Sequence, residues 1–290
     1  MKIVIIGSGG RLGAALARAL TGKFDVTGFN HDALDIGNIG EIHACLDRLK
    51  FDVLINAAGL TDVDLCEKEP DRAFRINTEA PQVLARVCRD KNARLIHFST
   101  DYVFDGEKRE PYTEDDVAKP ISIYGASKRA GEESVLGVQD RHLIVRVSWV
   151  FGPDRPSFID GVIRRAMETE EIEAVADKFS LPTYTMDIAE MLPRLFDSNV
   201  PGGILHFCNS GECSWQSYAQ HALDCCHKFG VNVKAKTVAP VKMENMKNFV
   251  ARRPVYSVLS TEKYKKLAGG APRPWRDAVA DYIKSHYSKT

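Results

Sequence analysis

A glycine-rich turn stands between a short apolar run and an Ala/Leu-rich segment at the very start of the chain. Lys2–Ile6 is followed by Gly7-Ser8-Gly9-Gly10-Arg11-Leu12-Gly13, which reads as strand, tight turn and helix N-terminus in that order. Gly7 and Gly10 permit the turn and close backbone approach, Gly13 lets helix and strand pack closely, and free N–H groups at the helix start suit a pyrophosphate. A plain turn is the alternative for a lone glycine pattern. Its place at the first strand-to-helix junction favours a dinucleotide.

The rest of the first half repeats the same unit. Ile3–Ile6, Phe24–Gly28, Val53–Asn56, Leu95–Phe98 and Leu143–Val147 are apolar runs without alternation, as expected of parallel strands buried on both faces. Arg11–Leu20 carries Leu12, Leu16 and Leu20 at helical spacing, and Ala73–Cys88 carries Ala73, Ile76, Ala80, Leu84 and Val87. The expectation is an α/β fold with a Rossmann-type doubly wound parallel sheet. After Trp149 the pattern loosens, with prolines at 153, 156, 182, 193, 201, 240, 254, 272 and 274. Residues 1–150 therefore read as a nucleotide-binding domain and 151–290 as a smaller substrate-binding lobe, with the helical stretch Asp187–Phe196 a candidate to rejoin the first.

Composition excludes several classes. With 39 basic and 39 acidic side chains, no general field draws in nucleic acid or anionic lipid, so neither is expected as a partner. The run Ile3–Ile6 is far shorter than the ~20 residues that span a bilayer, so no membrane or export segment is expected. Seven cysteines, without a CxxC pair, read as reduced thiols and suggest a cytoplasmic protein. Adjacent Cys225-Cys226 read as two buried thiols, His97 as a packed core histidine, and Glu262-Lys263 with Lys265-Lys266 as a solvated helix face.

Cofactor choice turns on the end of the second strand. An NAD-preferring site usually presents a carboxylate there to the ribose 2′-hydroxyl, and here Phe29-Asn30-His31 follows. Arg11, with His31, is the candidate partner of a 2′-phosphate, so NADPH is expected, with NADH as the alternative. Asp35-Ile36 either sits near the adenine or, through Asp35, caps a turn.

Tyr124 and Lys128 are four apart in Tyr124-Gly125-Ala126-Ser127-Lys128, so a helix places both on one face. A tyrosine with a pKa near ~10 is poorly matched to proton exchange at neutral pH, and a nearby ammonium would stabilise its phenolate. Ser99-Thr100-Asp101-Tyr102 follows the strand Arg94–Phe98 at the edge where such folds bind ligands. Thr100 is the hydroxyl chosen to assist Tyr124, and Asp101 and Tyr102 are expected to face the substrate; a turn with a capping Asp and a packed Tyr is the structural alternative.

These motifs together resemble an extended short-chain dehydrogenase/reductase and, within that group, the dTDP-4-dehydrorhamnose reductase family. The likeness also rests on Asn56–Asp64, Cys66-Glu67, Glu69-Pro70, Arg75-Ile76-Asn77, Pro111-Tyr112, Gly131-Glu132, Arg146–Gly152, Asp177, Pro182-Thr183 and Ala251-Arg252-Arg253-Pro254. It implies NADPH-dependent reduction of the C4 ketone of dTDP-4-dehydro-β-L-rhamnose, with Thr100, Tyr124 and Lys128 catalytic. It implies that Gly7, Gly10, Arg11, Leu12, Asn30, Asp35, Ile36, Gly59, Leu60 and Thr61, with Tyr124 and Lys128, hold the cofactor. Thr100, Asp101, Tyr102 and Trp149 would touch the sugar nucleotide. Arg253 either pairs with the diphosphate, whose oxygens suit a guanidinium, or is an ordinary surface arginine. Gly59-Leu60, Asn30, Lys178 and Ser180 depart from the family's common residues. Ala15 stands where some members place a metal-bridging glutamate, so no metal site is expected, while a homodimer is compatible. The alternatives are an NADP-binding regulatory subunit resembling the methionine adenosyltransferase β subunit, and a reductase or epimerase of another nucleotide sugar.

Overall fold

The computed structural model describes residues 1–197, 199–246 and 248–288. Six parallel strands build the central sheet: β1 (Lys2–Ile6), β2 (Asp25–Phe29), β3 (Val53–Asn56), β4 (Arg94–Thr100), β5 (Leu143–Val147) and a sixth, Gly203–His206. Across the sheet they run sixth, β5, β4, β3, β1, β2. The chain steps from β1 outward to β2 and returns to lay β3 on β1's other side. The carboxyl ends of β1 and β3 thus form the switch point where ligands bind in doubly wound sheets.

Alternation along each strand feeds two cores. Ile3, Ile5, Ile55, Ile96 and Val145 pack on one face with Leu16 and Leu20, while Val4, Ile6, Leu54, Leu95 and Ile144 pack on the other with Ile42, Leu46, Leu84 and Cys88. The covering helices are α1 (Arg11–Leu20), α2 (Ile39–Leu46), α3 (Val63–Lys68), α4 (Pro70–Phe74), α5 (Ala80–Asp90) and α6 (Ile123–Leu136). One helix was expected over Ala73–Cys88, and the structure divides it. Arg75–Glu79 is a π turn, closed by Ala80 N–H donating to the Arg75 carbonyl. Pro81 follows directly; having no N–H, it makes no bond in the ladder at that point.

The second half comprises α7 (Phe158–Glu168), α8 (Thr185–Met191), α9 (Trp215–Lys228), α10 (Glu262–Ala268), α11 (Trp275–His286) and short strand pairs. It has an aromatic core of its own in Phe151, Tyr184, Tyr218, Trp275 and Tyr282. Part of it returns to the sheet: Ile188, Met191 and Leu192 share the core of Ile3 and Leu16. The sixth strand pairs with β5, a contribution that the short sequence Gly203-Ile204-Leu205-His206 does not advertise.

Candidate active site

Two glycines shape the turn after β1. Gly7 has φ +84°, and a Cβ there would lie 2.8 Å from the Ala58 nitrogen; a Cβ on Gly13 would lie 2.1 Å from the Gly7 carbonyl oxygen. Any side chain would push α1 off the sheet. No side chain caps the first turn of α1, which leaves its amides to an anion.

From this turn a cleft of about 940 Å³ crosses the carboxyl edge of the sheet. Gly7, Gly10, Arg11, Leu12, Asn30, Asp35, Ile36, Gly59, Leu60 and Thr61 line it together with Thr100, Asp101, Tyr102, Tyr124, Lys128 and Trp149. Arg253 lies elsewhere, in a neighbouring depression of about 480 Å³ with Asp105, Arg109 and Phe249. Asn77, buried on the π turn, clamps the segment after β3 that carries Leu60. Its amide accepts from Leu60 N–H and donates to the Leu60 carbonyl, both at 2.9 Å, and also donates to Ser127 Oγ at 3.0 Å. Sequence reading had Asn77 only as part of a motif, because its role depends on the widened turn.

The adenosine end corrects one expectation. Arg11, expected at a 2′-phosphate, donates from Nε to the Arg155 carbonyl at 3.0 Å, from Nη1 to Val150 at 3.3 Å and from Nη2 to Pro156. Its guanidinium pins the second lobe to the glycine turn, and Arg155 reciprocates with a 3.0 Å bond to the Gly9 carbonyl. The cleft wall instead carries Arg72 near His31 and Asp35, a residue the sequence did not single out. Asp35 accepts from Gly37 N–H at 2.8 Å, the turn-capping alternative, and Asn30 accepts from Ala33 N–H at 2.9 Å.

Ser122 caps α6 by accepting from Gly125 N–H at 3.2 Å, which starts the helix just ahead of Tyr124. Gly125 then lets α6 touch the Asp101–Val103 turn, since a Cβ there would lie 2.1 Å from the Tyr102 carbonyl oxygen. Tyr124 and Lys128 are both buried, and Tyr124 meets Tyr102 edge-on at 5.5 Å. Lys128 was expected to lower the tyrosine pKa, yet its Nζ bonds the Phe98 carbonyl at 2.7 Å and lies 3.2 Å from His97 Nε2. Burial pushes the Tyr124 hydroxyl upward, and a hydrogen bond with Thr100 opposes it. Burial brings Lys128 down to about 8.

Two of the expected substrate contacts, Asp101 and Arg253, are engaged within the protein, and a third, Trp149, is not. Asp101 accepts from Ser180 Oγ at 3.0 Å, from Ser257 Oγ and from Thr100 Oγ1 at 3.2 Å, so its carboxylate ties the lobes together instead of facing substrate. Trp149 sits at φ +39°, unusual for a residue other than glycine, and its buried Nε1 has no partner among the described residues. A strained backbone holding an unpaired donor at a cleft wall is the pattern of a ligand contact. Arg253 is committed to Asp64, with nitrogens 3.1 and 2.8 Å from its two oxygens, and lies 3.7 Å over the Phe249 ring.

The Arg253 hydrogen bond holds the Asp64 pKa down at about 2. A depressed carboxylate stabilises the fold above its unfolded pKa near ~4, and that contribution disappears as pH falls through the folded value. Asp64→Asn should cost about 2 kcal/mol at pH 7 and almost nothing near pH 2. Urea melts at the two pH values test this, and an equal loss at both would show that the carboxylate charge is not the cause.

A glycine turn at the switch point of a doubly wound sheet, facing Thr100, Tyr124 and Lys128 across one cleft, defines a short-chain dehydrogenase/reductase. The chain matches the family described as RmlD substrate binding domain over residues 1–288, and it belongs to that family. It is 33% identical to a dTDP-4-dehydrorhamnose reductase of Aggregatibacter actinomycetemcomitans, covering 96% of this chain and 97% of that protein. It is 35% identical to the spore coat polysaccharide biosynthesis protein SpsK of Bacillus subtilis, covering 99% and 98%. A dTDP-4-dehydrorhamnose reductase of Bacillus anthracis solved in complex with NADP superposes with a TM-score of 0.89 at 34% identity, covering 98% and 99%.

Proposed function

We propose that this protein reduces the C4 ketone of dTDP-4-dehydro-β-L-rhamnose to dTDP-L-rhamnose with NADPH, Tyr124 donating the proton. It is an NAD(P)H-dependent oxidoreductase acting on a dTDP-sugar, as its family membership and the NADP-bound relative support. The observation that carries the finer reading is the convergence of Thr100, Tyr124 and Lys128 on the cleft that begins at Gly7–Gly13. The residues fit the cofactor: the close approach of Gly7 to Ala58 and the uncapped start of α1 make a cradle that a Cβ would fill. Gly10 and Leu12 would meet the pyrophosphate, Gly59–Thr61 would flank the nicotinamide half, and Arg72 with His31 replaces Arg11 at the adenosine phosphate. NADPH, when bound, supplies the hydride.

The protein's own groups do the rest. Tyr124, and Thr100 once its hydroxyl turns from Asp101 toward the cleft, would hold the substrate oxygen by hydrogen bonds, and Tyr124 would give its proton as negative charge develops there. Lys128 stands behind Tyr124 on the same helix face. Trp149, at the boundary between the first domain and the second lobe (residues 151–290), would meet the sugar through an indole N–H that has no partner among the described residues. A probable 4-ketoreductase of Streptomyces antibioticus that acts on a different dTDP-sugar is also 33% identical over 283 residues, so the assay must compare sugars. NADPH and NADH oxidation with enzymatically generated dTDP-4-dehydrorhamnose should show turnover, fastest with NADPH. Binding of NADPH without turnover of this sugar, but with turnover of another dTDP-4-keto sugar, would reassign the substrate.

A further inference from the structure

Asn56 closes β3 and His97 lies within β4, and the strand register sets the two side by side, both fully buried. Asn56 Oδ1 accepts from Ala58 N–H at 3.1 Å. That bond fixes the amide, so its NH2 group faces His97 Nδ1 at 3.0 Å. An amide nitrogen only donates; Nδ1 must therefore offer its lone pair, and the neutral ring carries its proton on Nε2. Nε2 lies 3.2 Å from Lys128 Nζ. An N–H there has nothing to offer an ammonium but can donate to an amine. With the Phe98 carbonyl 2.7 Å away, an amine at Lys128 would accept from Nε2–H, donate once to Phe98 and retain one N–H for the cleft.

We propose that Asn56 and His97 are positioning residues: Asn56 fixes the Nε2–H tautomer of His97, and that N–H favours the amine form of Lys128. The proposal rests on Tyr124 as proton donor. The hydride adds to the carbonyl carbon and the C=O π pair moves to oxygen; the Tyr124 O–H bond breaks as the alcohol O–H forms. The phenolate then regains its proton from water before the next turnover. The energetic directions agree. Burial draws Lys128 down to about 8, the direction in which an N–H pointed at it from His97 also acts. Burial and Lys128 together hold His97 neutral. The other groups facing this pair are Glu132 on α6, whose charge is met by Arg146 at 2.7 Å, and Asp101 and Cys66 beside Tyr124.

Two-bond ¹H–¹⁵N spectra of the ligand-free protein read the tautomer directly, with His97 assigned by the loss of its signals in His97→Gln or by their shift in Asn56→Asp. The expected result is a protonated Nε2 and a bare Nδ1 that do not titrate between pH 6 and 9. A proton on Nδ1, or an imidazolium, overturns the proposal whether or not the protein reduces the keto sugar. Asn56→Asp keeps an acceptor for Ala58 N–H and presents a second to Nδ1, which moves the ring proton to Nδ1 and leaves Nε2 to accept from the ammonium. The alkaline limb of kcat/KM should then move from near pH 8 upward by about one unit or more, toward the ordinary lysine value. A limb that stays in place while the tautomer switches overturns the coupling between His97 and Lys128.

Discussion

Tyr124→Phe is expected to lower kcat about 10²–10⁴-fold, the usual contribution of a positioned general acid, with NADPH affinity nearly unchanged. The ring stays where it was. Its edge-on contact with Tyr102 at 5.5 Å involves carbon atoms that phenylalanine retains, and burial penalises the hydroxyl's ionised form, which phenylalanine lacks. What disappears is the O–H that, in the proposed mechanism, supplies the proton. Hydride addition would then place charge on an oxygen held by Thr100 alone. Stopped-flow NADPH oxidation measures the loss, and cofactor fluorescence titration checks that the cleft is intact. A residual rate within tenfold of wild type would move the proton donor elsewhere.

Much of the fold was legible because burial on both faces leaves continuous apolar runs. Val53–Asn56, Leu143–Val147 and Arg11–Leu20 have the expected bounds, and the glycine turn marks the ligand edge by its own stereochemistry. The sixth strand was not legible: with only Ile204 and Leu205 apolar, its identity comes from pairing with β5. The π turn was hidden for a related reason, since Arg75–Glu79 keeps helical apolar spacing while its hydrogen bonds lengthen by one residue.

The site divided along the same line. Position in sequence placed Thr100, Tyr124 and Lys128 at one cleft, because strand ends and i, i+4 spacing are local facts. It misjudged where the charged groups Arg11, Asp101 and Arg253 are used, because their partners lie 139 to 189 positions away for the two arginines and 79 and 156 away for the carboxylate. His97 was read as a packed core residue, and it is fully buried. Its contact with Lys128 arises only when β3, β4 and α6 are assembled.

Arg146→Leu is expected to destabilise the protein by about 3–5 kcal/mol, the typical cost of stranding one partner of a buried ion pair. Arg146 and Glu132 are essentially inaccessible, joined by two bonds, Nε to Oε1 at 2.8 Å and Nη2 to Oε2 at 2.7 Å. The guanidinium also lies 5.1 Å from the Phe104 ring centre. Among the described residues, leucine would leave Glu132 with the partly exposed Arg129, at 3.4 Å, as its one cationic partner. Urea melts give the loss, and less than about 1 kcal/mol would contradict a pair desolvated to this degree. Adding Glu132→Leu should recover most of the stability, since two apolar side chains need no partner. Function should not recover in parallel. Glu132 stands one helical turn beyond Lys128 and is the charge that opposes the fall in its pKa. In Arg146→Leu the uncompensated carboxylate raises Lys128, and in the double variant its absence lowers Lys128 further. The alkaline limb of kcat/KM should therefore move in opposite directions in two proteins that differ at position 132 alone.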